Sequence, residues 1–221
     1  MMRYVRARHN EHGINESKLI KLLQPVIEKL QDGSRNCDLL HAIQVIKMEI
    51  VKIPRERMAA LLGNKGEMKK RLEHALKLKL NVTEEEGVEL VGESVDEFFG
   101  KDVLRAIGRG FAPDVALKLL KEDYCLRIID LRDYANENGI IRIKGRVIGE
   151  NGRTKEIIEE EAESHLSIYG HTVGIIASLE TIDVATNAVF KLIEGANHST
   201  VYAYMERGRR KLKEERIKNM F

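Results

Sequence analysis

Two stretches hold glycines three apart: Gly63-Asn64-Lys65-Gly66 and Gly149-Glu150-Asn151-Gly152. An apolar pair precedes each, Leu61-Leu62 in one and Val147-Ile148 in the other. Each lies between two helix-like patterns, so the chain must turn sharply there. Glycine permits the turn and lets another group come close to the backbone. The first amides of the following helix have no intrahelical partner and carry its positive dipole end, which suits phosphate. Lys69, Arg153 and Lys155 are the nearest basic residues after the glycines, and Arg146 precedes the second pair. Glu150 places an acid within the second loop, making it the electrostatically poorer of the two.

Other chemistries fit less well. Gly145 and Gly152 are separated by six residues, where a nucleotide-binding P-loop has four, and Arg153 stands where its lysine would be. The seven histidines are scattered without metal-ligand spacing. Asp and Glu fall in solvated runs and form no paired-carboxylate site. No catalytic residue, metal or cofactor is expected. Cys37 and Cys125 give neither a disulfide framework nor a ligand pattern. His198 reads as a helix-start residue. Tyr202 and Tyr204 read as packing on their own domain, with base stacking as the alternative.

The elements around the loops occur twice. Residues 48–53 read as a strand, residues 54–62 as a helix, and Met68, Leu72, Ala75 and Leu76 mark a helix after the first loop. Residues 79–82 and 88–91 read as strands around a turn with Gly87. Phe98, Phe99, Val103, Leu104 and Ile107 mark the next helix. In the second half, residues 126–131 read as a strand and residues 140–148 as helical or irregular. A helix follows Gly152, residues 166–169 and 173–177 are strands joined at Gly170-His171, and residues 182–193 form the closing helix. A constant offset of 86 maps Gly63 on Gly149, Leu80 on Leu166, Ile107 on Ile193 and Pro113 on Ser199, whereas upstream of the glycines the register breaks and the second copy has extra residues between its first strand and the loop. A fixed offset with matching patterns means two copies of one unit. Ser199 or Thr200 is expected to cap a last, basic helix.

Upstream, residues 1–12 carry Arg3, Arg6 and Arg8 without apolar periodicity, and fit either a nucleic-acid arm or a solvated tail. Leu19, Leu22, Leu23, Val26, Ile27 and Leu30 are helically spaced, with Pro25 among them. The expected organisation is an extension over 1–45, partly helical, a first domain over 46–122, a second over 123–196, and a basic helix over 197–221.

The net charge of +2 hides local asymmetry. Residues 52–79 hold nine Lys/Arg against three Glu, whereas residues 83–102 hold eight acids and one lysine. Arg142, Lys144, Arg146, Arg153 and Lys155 surround the second loop. Two basic centres at two matched loops form a polyanion-binding footprint, although alternating charge can also merely solvate helix faces. No apolar run reaches membrane-spanning length and no signal-peptide core is seen at the start, so a soluble, cytoplasmic protein without membrane contact is expected.

Strand–helix–GxxG–helix–strand–strand–helix, found twice, resembles the type I KH domain. The implied fold is α+β: two tandem βααββα units, each a three-stranded sheet packed by helices, with an extra helix after each. By that resemblance, Gly63, Asn64, Lys65 and Gly66 form one clamp on single-stranded RNA, and Gly149, Glu150, Asn151 and Gly152 form the other. Residues 106–111 (AIGRGF), 143–149 (IKGRVIG) and 198–202 (HSTVY) further resemble the archaeal branch of the KH proteins of small-subunit ribosome assembly, the partner-of-Nob or dimethylase-partner family. Family likeness implies binding near the 3′ end of small-subunit ribosomal RNA. It also implies work beside a Nob-type endonuclease and a dimethyladenosine transferase, with a link to the alpha subunit of the initiator-tRNA-delivering initiation factor. A KH protein of another RNA-processing or decay pathway and a KH-fold protein-interaction scaffold are the alternatives.

Overall fold

The computed structural model describes residues 50–82, 87–91 and 94–218. The expected N-terminal extension and its helix, and the acidic turn at 84–86, lie outside the described residues. The described residues form one compact unit.

Its first half runs β1 (Ile50–Lys52), α1 (Arg55–Leu62), α2 (Glu67–Leu76), β2 (Lys79–Val82), β3 (Gly87–Val91) and α3 (Ser94–Gly108). A short helix α4 (Pro113–Ala116) then tightens into a 3-10 turn, Leu117–Leu120. The second half runs β4 (Tyr124–Asp130), α5 (Glu137–Ile148), α6 (Arg153–Glu161), β5 (His165–Tyr169), β6 (Thr172–Ser178), α7 (Ile182–Ile193) and α8 (His198–Lys218). Each half makes an antiparallel three-stranded sheet, in the orders β1-β3-β2 and β4-β6-β5.

The repeat is more regular in the structure than in the sequence, and its offset is not constant. Leu80 pairs with Leu90, and Leu166 with Ile175. The hairpin of the second half is one residue shorter, so the offset is 86 from α1 to β2 and 85 from β3 onward; at the first strand it is 78, Val51 corresponding to Ile129, because the second half has extra residues between its first strand and its loop. Ile107 therefore corresponds to Leu192 rather than Ile193, and both are fully buried. Pro113 corresponds to His198, which explains why α8 begins there and places Ser199 and Thr200 inside its first turn. The segment 140–148 is helical from Glu137, because the Asn136 side chain accepts a bond from the Gly139 amide at 3.0 Å and caps it. The helix following the first half is only four residues long, against 21 in the second.

The joint between the halves explains an anomaly in β6, where six consecutive residues are buried. An antiparallel strand with one wet face would alternate. Val173, Ile175 and Ala177 face the helices of their own half, whereas Ile176 belongs to the core of the first half, with Leu126 and Tyr124 packed alongside. Phe111 lies across Gly174, where an added Cβ would come within 2.7 Å of its ring. The second sheet is thus covered on both sides. The Tyr169 hydroxyl donates to Glu56 at 2.9 Å, and the Ser167 hydroxyl donates to the Arg109 carbonyl at 2.8 Å.

Candidate nucleic-acid interface

Both glycine loops adopt the same backbone. Gly63 has φ 65°, ψ −171° and Gly149 φ 75°, ψ 177°. Lys65 and Asn151 are left-handed at φ 50° and 52°, as are Gly66 and Gly152 at φ 79° and 82°. The two glycines of a pair do different work. A Cβ at Gly149 would overlap the Thr154 hydroxyl and lie 2.8 Å from the Thr154 amide; one at Gly63 would lie 2.6 Å from Met68 Cβ. Nothing stands within 4 Å of a Cβ at Gly66 or Gly152. The first glycine lets the loop fold onto the next helix, and the second leaves an open backbone face for an incoming group.

Matched bonds hold the loops in place. Glu73 accepts a bond from the Leu80 amide at 2.9 Å, and its counterpart Glu159 one from the Leu166 amide at 2.7 Å. The same carboxylates pair with Lys69 at 3.7 Å and Lys155 at 3.9 Å. Arg57 donates to the carbonyls of Ile107 (3.0 Å) and Phe111 (2.6 Å). Arg146 donates to the equivalent carbonyls, Leu192 (3.1 Å) and Ala196. Each arginine ties the helix before a loop to carbonyls at and just beyond the end of the closing helix. Sequence reasoning placed Arg146 on RNA and passed over Arg57; neither position shows its partner in the sequence, because the partners are 46 to 54 residues away.

The remaining candidates divide by exposure. Asn64, Lys65, Glu150, Asn151 and Arg153 are exposed at the loops, whereas Lys69 and Lys155 are half-buried. Lys65 has no ion-pair partner among the described residues. Arg153 pairs with Glu156 at 3.0 Å, but both side chains are 67% exposed. Water screens such a pair, and it competes weakly with phosphate.

A groove of about 460 Å³ runs beside the second loop, lined by Ile148, Lys155, Glu159 and residues 165–168 of β5. Its far wall comes from the first half, through Gly110, Phe111, Ala112 and Val115. Lys118 donates to His165 Nε2 at 2.7 Å across that joint. Partial burial, with Lys118 next, lowers the pKa of His165 and favours the neutral ring. On the other side of the loop, an open cleft of about 840 Å³ is bounded by α5, α6 and the start of α8. There the hydroxyls of Thr154 and Tyr202 share a bond of 2.9 Å, and His198 Nε2 lies 3.1 Å from the Arg146 carbonyl. Tyr204 packs against the core and under Lys191, 5.1 Å from its ring. Tyr204 therefore packs on its own half, whereas Tyr202 borders the open cleft. No helix among the described residues is long and apolar enough to cross a membrane.

Comparison with known proteins agrees with this geometry. Residues 125–210 match the KH_PNO1_2nd family model, a eukaryotic type KH-domain (KH-domain type I). The KH domain-containing protein MJ0443 of Methanocaldococcus jannaschii is 40% identical over 176 residues, 77% of this chain and 78% of that one. The pre-rRNA-processing protein PNO1 of Chaetomium thermophilum is 29% identical over 178 residues, 76% and 67% of the two chains. A chain in the crystal structure of an a/eIF2alpha-aDim2p-rRNA complex from Pyrococcus horikoshii superimposes with a TM-score of 0.70 at 38% identity, over 75% of this chain and 95% of that one.

Proposed function

Because the chain belongs to the PNO1/Dim2 family of KH proteins, we propose that it binds single-stranded RNA near the 3′ end of small-subunit ribosomal RNA during subunit assembly, without catalysing a reaction. Both halves serve as type I KH units, spanning 46–122 and 123–196. The observation that carries this reading is the duplicated loop: two backbones of the same φ/ψ, each opening a helix, each with its second glycine unobstructed.

The clamp works through backbone and charge. Phosphates approach the open faces of Gly66 and Gly152, where the amides of α2 and α6 lack intrahelical partners. Lys65 and Lys69 supply charge at the first loop, and Arg153 and Lys155 at the second. Arg146 acts by holding α5 to the end of α7. Bases beside the second loop lie in the groove floored by Ile148 and β5, and the first unit supplies its far wall. Correct docking of the two units is therefore part of the second binding site.

Names of relatives support the process and the partners. One relative is named for pre-rRNA processing, and a structural neighbour was crystallised with rRNA and a/eIF2alpha. The protein accordingly meets the alpha subunit of that initiation factor, and works beside a Nob-type endonuclease and a dimethyladenosine transferase. Crosslinking to cellular RNA, with both crosslinked partners mapped, tests the reading. Crosslinks from residues 63–69 and 149–155 to the small-subunit rRNA 3′ end are expected. Crosslinks to scattered transcripts would move the protein to another RNA pathway, and an absence of RNA crosslinks would make it a scaffold.

A further inference from the structure

The two units differ where the repeat would have kept them alike. At the second loop, Glu150 and Asn151 replace Asn64 and Lys65, so positive charge has left the loop itself. It reappears behind the loop. Arg142 and Arg153 stand on the wall and rim of the rear cleft, and their counterparts in the first unit are Glu56 and Glu67. The floor has changed in the same sense. Thr154 and Tyr202, joined through their hydroxyls, replace Met68 and Leu117, which pack against the apolar core of the first unit.

We propose that this rear cleft is an additional RNA subsite, which takes the nucleotide adjoining those held by the second clamp on the side away from the base groove. The inference rests on the clamp reading above. Gly149 and the loop residues Glu150 and Asn151 line the cleft, so a strand gripped at the loop passes its edge without a gap. Arg142 is exposed and has no ion-pair partner among the described residues. Arg146 spends Nε and Nη2 on carbonyls, and Nη1 has no protein partner among the described residues. A phosphate in the cleft meets these guanidinium donors, and the Tyr202 hydroxyl offers a hydrogen bond to a ribose or base edge. Charge the loop lost to Glu150 is thereby supplied from behind, and the first unit, with Glu56 and Glu67, has no such subsite.

The test uses the full chain carrying Asn64→Asp and Lys65→Asp, so that only the second unit binds. Affinity is measured for a tetranucleotide and for the same RNA lengthened by two residues at either end. Lengthening at one end should strengthen binding roughly tenfold, the scale of one charge-assisted phosphate contact. Arg142→Gln should abolish that gain, lower the log–log salt slope by about 0.7, and leave tetranucleotide binding within about twofold. A gain that survives Arg142→Gln, or no gain at either end, overturns the subsite. Failure of the clamp reading looks different: Asn151→Asp with Arg153→Asp would then leave tetranucleotide binding unchanged.

Discussion

Replacing each glycine of the second loop by alanine separates its two roles. At Gly149, φ 75° with ψ 177° is a region occupied almost only by glycine, costing about 1–3 kcal/mol for another residue. The new Cβ also overlaps Thr154 Oγ1, 2.7 Å from Thr154 Cβ and 2.8 Å from its amide. Trimming Thr154 would relieve only the hydroxyl contact, since the backbone nitrogen cannot retreat. The sum is about 3 kcal/mol or more, and for a domain of this size about 2–4 °C accompanies each kcal/mol. Gly149→Ala should therefore lower the melting temperature by roughly 6–12 °C. At Gly152, φ 82° with ψ 3° is ordinary left-handed backbone with free space around it. Alanine there costs about 1 kcal/mol, or roughly 2–4 °C, yet its methyl sits on the open face proposed above for phosphate. Thermal melting by circular dichroism, paired with RNA binding by fluorescence anisotropy, reads both. The expected pattern is a large stability loss at Gly149 and an affinity loss exceeding the stability loss at Gly152. Equal melting temperatures for Gly149→Ala and the wild type would refute the close-packing argument.

Three further outcomes follow from the same geometry. Glu150→Lys should tighten binding to single-stranded RNA and steepen its salt dependence, measured by titration at several salt concentrations. Glu73→Ala and Glu159→Ala each strand a strand amide and should cost about 1–2 kcal/mol in denaturant unfolding, with additive effects because the pairs lie in separate units. His165 has a depressed pKa when folded, so the folded state favours the neutral ring. Its stabilising contribution is complete above the ordinary value of 6.5 and is lost as pH falls through the lowered one; melting curves below pH 6.5 should show this loss, and His165→Gln should flatten it.

Much of the fold was legible because hydrophobic spacing and glycine pairs are local signals. Leu72 and Leu76 on α2, and the two-residue turn at Gly170-His171, needed nothing from elsewhere in the chain. Beyond the stretch from the glycine loops to β2 the offset was misread, since a one-residue difference between hairpins hides in loops whose patterns are weak. That Arg146 ties down distant carbonyls was not legible, because its partners lie 46 and 50 positions away. Nor was the joint between the units. Phe111 meets Gly174 63 positions away, and the continuous burial of β6 has its cause in the other half. The rear cleft was invisible for the same reason: Tyr202 reaches Thr154 only once α8 has packed on α6.

The central claim is that the glycine loops hold RNA by its phosphates. The most direct measurement is the salt dependence of binding to a single-stranded RNA matching the small-subunit 3′ end, for the wild type and for Asn64→Asp with Lys65→Asp. Both substituted side chains are exposed, so the melting temperature should stay nearly unchanged. Affinity should fall at least roughly tenfold, and the log–log slope should shrink by about 0.7 for each phosphate released. Unchanged affinity and slope in a folded variant would contradict the account.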